Sequence, residues 1–341
     1  MIGRTLLAAL LLAAPVAAAV SGVVRNATTG EPAPRVFVTL ISFERGMDPI
    51  EETATDDEGR FQFEKSLESA SGQRIPGLVR TEFEGVSYSE MIPPNAPADA
   101  VELEVYSVAE RSIPPTGRVL VLEPGESEMI VNETYLLENN SAPPVSYRDP
   151  QQGTLRFHLP PEAKGIVQVR ASGPAGMPLN SSAEPVGEDD LYKVDFPIKP
   201  GDNSISLTYL VPHSEETTLA LPTPYEQLQT RIAVPPGVEI EGESLEEMGV
   251  EPTTQARIYQ GSATAEVRVR GSGALRGSEA RAPQAPAAGG GGPTEITIAD
   301  APVSRELPWI LGLTAAALAA GFFQLYAAGR RDVQGDGRRG S

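Results

Sequence analysis

Side chains able to do chemistry are few and scattered in this chain. It has two histidines and no cysteine. His158 ends the stretch Arg156-Phe157-His158-Leu159-Pro160, and His213 follows Val211-Pro212. Two isolated imidazoles without thiolates do not make a zinc or copper ligand set, so both read as surface or strand-edge groups. Counting residues leaves a Ser-His-Asp arrangement open, but no Gly-x-Ser-x-Gly elbow accompanies it. Acidic clusters occur at Asp56-Asp57-Glu58-Gly59, Glu188-Asp189-Asp190 and Glu215-Glu216. The first resembles a fragment of a calcium loop but lacks the alternate-position ligands and the distal bidentate glutamate. Tyr88, Tyr147 and Tyr225 sit near expected loops, where they read either as sugar-stacking rings or as half-buried strand ends. The residues therefore assign no catalytic, cofactor-binding or metal-binding position. Sequons at Asn26, Asn132, Asn139 and Asn180 matter only in a eukaryotic secretory pathway.

The elements that would carry these groups are strands. Val36, Val38 and Leu40 share one face, as do Phe61 and Phe63. Val101, Leu103 and Val105 alternate with Glu102 and Glu104, the period-two pattern of a half-buried strand. Turns are predicted at Thr29-Gly30-Glu31-Pro32 and at Asp56 to Gly59. Short strands at this spacing, without helical periods, predict a small β-sandwich over 20–112.

Three blocks in this part resemble a known family. They are Ser21-Gly22-Val23-Val24-Arg25-Asn26-Ala27-Thr28-Thr29-Gly30-Glu31-Pro32, then Val36-Phe37-Val38-Thr39-Leu40, then Thr55-Asp56-Asp57-Glu58-Gly59-Arg60-Phe61-Gln62-Phe63. Together they are similar to the carboxypeptidase regulatory-like family over about 90 residues. The resemblance implies a transthyretin-like (prealbumin-like) Greek-key sandwich and a non-catalytic accessory module. The chain departs from the family after the second block, where Ile75-Pro76-Gly77-Leu78 follows a Ser- and Gly-bearing insertion. Lys–Asn crosslinks of exported sandwiches need a first-strand lysine, and Ser21 to Arg25 contains none.

After Ile113-Pro114-Pro115-Thr116-Gly117 a second all-β region is predicted over 117–271. Its strands are expected at Val119–Leu122, Ile130–Leu137, Thr154–Phe157, Gly165–Val169, Tyr192–Phe196, Ser204–Leu210, Gln229–Val234 and Ala265–Val269. They suggest a larger Ig-like sandwich, either one domain or two units divided near Pro212–Pro224. Residues 272–306, with Gly289-Gly290-Gly291-Gly292-Pro293, read as a flexible Gly/Pro/Ala linker.

Both ends predict a membrane protein. Residues 1–19 read as a signal peptide, with Arg4, an apolar stretch and Ala17-Ala18-Ala19; an uncleaved anchor is the alternative. An uncharged apolar run from Leu307 to Gly329 is long enough to span a bilayer as a helix. The basic tail 330–341, with Arg330, Arg331, Arg338 and Arg339, places the C-terminus in the cytoplasm by the positive-inside rule. The Gly- and Ala-rich span offers a small-residue face for helix packing.

The part expected outside, 20–306, carries 22 Lys/Arg against 44 Asp/Glu. That balance disfavours nucleic acid and anionic lipid headgroups. The sequence predicts a membrane-anchored, non-enzymatic interaction or scaffold protein of the bacterial envelope. It would be single-pass, with its bulk periplasmic or extracellular and an unknown protein or glycan as partner. The alternative is a carbohydrate-binding or accessory module beside an envelope enzyme or transporter.

Overall fold

The computed structural model describes residues 20–275, apart from positions 175, 177, 188, 189, 244 and 262–265. The expected signal peptide, the span at 307–329, the basic tail and nearly all of the linker lie outside these residues. No helix among the described residues is long and apolar enough to cross a membrane.

The architecture is all-β, as the alternation predicts. In the first region the strands are β1 (Ser21–Asn26), β2 (Glu31–Pro32), β3 (Phe37–Ser42), β4 (Asp48–Ala54), β5 (Arg60–Gln62), β6 (Gly77–Phe83), β7 (Val86–Ile92), β8 (Val101–Val105) and β9 (Val108–Glu110). One sheet runs β2-β1-β5, with β8 pairing parallel to β1; the other runs β4-β3-β6-β7. Their inner faces share a core that includes Val24, Val38, Leu40, Phe63, Val79 and Leu103. Phe61 and Phe63 both point inward, with ring centroids 5.6 Å apart. In β8, burial alternates residue by residue, with Glu102 and Glu104 outside.

The second region comprises β10 (Gly117–Pro124), β11 (Glu128–Asn139), β12 (Ser146–Arg148), β13 (Leu155–His158), β14 (Gln168–Ser172), β15 (Leu179–Ser181), β16 (Glu184–Pro185) and β17 (Leu191–Val194). It continues through β18 (Gly201–Pro212), β19 (Glu216–Ala220), β20 (Thr230–Val234), β21 (Glu239–Gly242), β22 (Glu246–Val250), β23 (Arg257–Gly261) and β24 (Glu266–Arg270). An eight-stranded sheet in the order β15-β14-β18-β11-β10-β20-β23-β22 runs through all of it. Two three-stranded sheets, β13-β17-β16 and β19-β24-β21, contribute to the same hydrophobic core. The halves on either side of Pro212–Pro224 are fused, because β10 and β20 pair in parallel within the large sheet.

One expected strand is displaced. The prediction over Gly165–Val169 gives way to β14 at Gln168–Ser172. A 3₁₀ turn at Pro161–Ala163 ends in left-handed Lys164 (φ 54°), and Gly165 follows at φ 71°. Extended pairing therefore begins later.

The Pro-rich joint is flanked by contacts between the two regions. Just before it, β9 pairs in parallel with β12. Thr28 Oγ1 donates to the Pro144 carbonyl (2.6 Å), and the Tyr88 hydroxyl meets Ser146 Oγ (2.9 Å). Arg148 donates to the Gly85 carbonyl and pairs with Asp195 at 3.0 Å.

Candidate functional site

The two histidines have different environments. His213 is buried at the end of β18, contrary to a surface reading. Its Nε2 donates to the Gly271 carbonyl (3.0 Å), and Nδ1 bonds Thr217 Oγ1 (2.9 Å). Nε2 thus ties the segment after β24 to the body of the region, while Nδ1 anchors the ring on β19. Gly271 is followed by Gly273, whose N–H donates to the Pro124 carbonyl, and by Leu275, whose N–H donates to the Glu123 carboxylate.

His158, at the end of β13, is only partly buried, as a strand-edge reading predicts. It opens on a cleft of about 470 Å³ floored by Leu159 and Leu219. Glu162, Asp190 and Glu266 also line it, and Thr218 supplies the hydroxyl of that lining. His158 and His213 do not meet in one site. Among the described residues, no three His, Cys, Asp or Glu side chains are placed to hold a metal.

The acidic motifs at Asp56 to Gly59 and at Glu216 have structural roles. Asp56 Oδ1 accepts the Glu58 and Arg60 amides (3.0 and 2.7 Å), closing a hairpin turn with Gly59 at φ 75°. Glu216 joins a cross-strand charge ladder with Arg268 and Arg270, which also reach Glu241. Hydrogen bonding by Arg270 holds the Glu216 carboxyl below the usual range. Glu188 and Asp189 lie outside the described residues.

The three tyrosines are engaged internally. Tyr88 and Tyr147 are buried, and the Tyr225 hydroxyl accepts the Arg156 amide at 3.0 Å. Burial pushes the Tyr88 and Tyr225 hydroxyls up, against the pull of these hydrogen bonds. Lys199 Nζ sits 5.0 Å from the Tyr88 ring centroid, and burial lowers its pKa. These rings therefore work as joints of the fold; Tyr88 and Tyr147 are buried within β7 and β12 rather than half-buried at strand ends.

A polar cluster whose pairing the sequence does not reveal lies inside the second region. Arg118 and Glu133 are side-chain neighbours on β10 and β11, 1% and 0% exposed, joined by Nε–Oε1 at 2.7 Å. Arg118 also donates to the Leu221 carbonyl (2.9 Å), and the Tyr209 hydroxyl donates to Glu133 (3.3 Å). Burial alone would lower the Arg118 pKa, but the adjacent Glu133 charge carries it above the arginine range. Burial, then the Glu133 charge, push the Tyr135 and Tyr209 hydroxyls well up. The Leu221 contact binds the chain between the two halves to the large sheet.

Past β22 the Glu251 carboxylate accepts the Thr253 and Thr254 amides and the Thr254 hydroxyl, which depress its pKa to about 2. Its turn-closing contribution is therefore present above the ordinary glutamate range. It is lost as pH falls through that range towards about 2. Carboxyl-detected NMR is expected to place the Glu251 midpoint near that value. A midpoint at the ordinary glutamate pKa would show that these bonds do not persist in solution.

No protein-family model matches this chain, and no curated protein matches it in sequence. Solved structures with partial similarity include an M1 zinc metallopeptidase from Deinococcus radiodurans. It is 12% identical over 47% of this chain and 42% of the peptidase, with a TM-score of 0.26. The major pilin SpaA of Corynebacterium diphtheriae is 11% identical over 60% of this chain and 61% of the pilin, with a TM-score of 0.22. The chain spans less than half the length of the peptidase it matches. Similarity this slight carries no conclusion about activity or assembly.

Proposed function

We propose that this chain is a membrane-anchored, non-enzymatic interaction or scaffold protein of the bacterial envelope, with residues 20–306 outside the cytoplasmic membrane. The observation that carries this reading is where the reactive side chains lie. His213 straps a chain segment, Asp56 closes a turn, and Arg118 and Glu133 are sealed in a core. The tyrosines sit at internal joints, which favours a protein partner over a stacked sugar. Around these groups lies a β-body whose loops and edges face outward, the usual means by which such scaffolds bind.

The carboxypeptidase regulatory-like assignment belongs to the same proposal. Its first block coincides with β1, a turn and β2, its second with β3, and its third with the turn into β5. An Ig-like origin for the second region is proposed on its two-layered sheets.

The topology is tested by protease added to spheroplasts, which is expected to digest residues 20–270. Their full protection would overturn the proposed orientation. Function is tested by co-purification of the tagged full-length protein from gentle detergent, with a stable protein partner expected. Recovery of bound glycan without protein, or of a turnover lost in His158→Ala, would overturn the reading.

A further inference from the structure

We propose that the outer edge of β22 receives an extended basic and aliphatic segment of a partner protein, which adds to the eight-stranded sheet as a ninth strand. This rests on the interaction reading above and locates its contact. β22 ends the sheet and, among the described residues, its backbone pairs with β23 alone. Its other side thus presents unpaired N–H and C=O groups, the template for strand addition. The opposite end of the sheet is β15, only three residues long.

Three other edges carry a proline that β22 lacks. Pro49 lies in β4, Pro32 in β2 and Pro185 in β16, and each proline removes a ladder donor. β22, Glu246-Glu247-Met248-Gly249-Val250, contains neither proline nor lysine. Its one irregularity is a bulge between Glu247 and Gly249. Met248 and Val250 are 60% and 52% exposed, which leaves apolar side chains beside the open backbone.

Charge specifies the partner. Glu246 and Glu247 are exposed and make no ion pair among the described residues, and Glu243 precedes them. Nearby cations are already directed elsewhere. Arg257 donates to the Val238 carbonyl (2.8 Å), while Arg268 and Arg270 pair with Glu216 and Glu241. Glu246 and Val250 lie on opposite faces of β22, so an incoming strand that alternates Lys or Arg with aliphatic residues would set its cations beside Glu246 and its apolar side chains beside Val250. A second copy of this edge would instead bring four glutamates to one short seam and no cation to compensate them.

The test uses the full-length protein in detergent and the peptide acetyl-Lys-Val-Lys-Val-Lys-Val-Lys-amide. A peptide of equal charge with proline as its central residue cannot complete the ladder, and a Glu-Val version reverses the charge. The alternating basic peptide is expected to bind roughly tenfold or more tightly than either control, a gap of the size one lost pairing or like-charge contact produces. Met248→Lys with Glu247→Lys is expected to remove that preference while the thermal melt stays unchanged. Equal binding of the proline peptide, or an undiminished preference in the double variant, would overturn the proposal. So would concentration-dependent self-association that the double variant abolishes, because the edge would then pair with itself. In the co-purification experiment, partners that stay with the double variant overturn the edge assignment alone. Absence of partners with the unaltered protein overturns the interaction reading itself.

Discussion

Replacing Glu133 by glutamine is expected to destabilise the second region by roughly 3–5 kcal/mol, the range for breaking one side of a buried ion pair. Glutamine keeps the shape and removes the charge that compensates Arg118, whose guanidinium is 1% exposed. The arginine cannot lose its proton to escape this, because its pKa lies far above any working pH. Tyr209 would also exchange a charged acceptor for a neutral one. Replacing both partners, Arg118→Met with Glu133→Leu, is expected to cost much less, since no buried charge is left unpaired. Urea denaturation of the three proteins decides the matter. A Glu133→Gln loss below about 1 kcal/mol, the scale of a solvent-exposed pair, would show that water reaches the site.

Gly22→Ala is the second large effect and strikes the other core. Gly22 lies in β1 between Phe61 of β5 and Val101 of β8. A methyl group there would meet the Val101 carbonyl oxygen at 2.0 Å and Phe61 Cζ at 2.7 Å. The first obstacle is backbone held in a parallel strand pair, so relief requires β8 to move away from β1. A loss of at least about 3 kcal/mol is expected, the upper end of over-packing costs. Gly30→Ala is the control: its φ of 80° makes a side chain strained, but nothing lies within 4 Å of the added atom. Its loss should stay near 1 kcal/mol, the conformational term alone. Chemical denaturation of both variants tests the contrast, and equal losses would show that β8 does not press on Gly22.

The clasp between the regions bears on how any binding surface is presented. β9 pairs with β12, and Tyr88, Thr28 and Arg148 all reach across. Ile113-Pro114-Pro115-Thr116-Gly117 therefore joins regions that already touch, rather than acting alone as their connection.

The strands legible in the sequence were those whose burial is decided locally. Val101-Glu102-Leu103-Glu104-Val105 alternates in composition and in burial alike, because successive side chains of a strand point to opposite faces whatever its partner. The Asp56 to Gly59 turn was legible for a similar reason, since an aspartate bonding amides two and four residues on needs no distant contact. Edge strand β22 escaped that reading: Glu-Glu-Met-Gly-Val has no alternation, and pairing with β23 makes it a strand. The pairing of Arg118 with Glu133 was not legible either. Period two puts Arg118 on the face of Leu120 and Leu122, and Glu133 on the face of Val131 and Tyr135, so alternation marks each as a charge on an apolar face but names no partner for it. Only the alignment of β10 with β11, β18 and β20 brings the two charges together and sets Tyr209 and the Leu221 carbonyl against them. Composition and local period thus determined an all-β, acidic chain and the strands of clearest alternation, such as β8, β11 and β18. Which partners the buried charges meet, how the two halves share one sheet and which edge stays open were decided by strand pairing between distant residues, which local pattern does not encode.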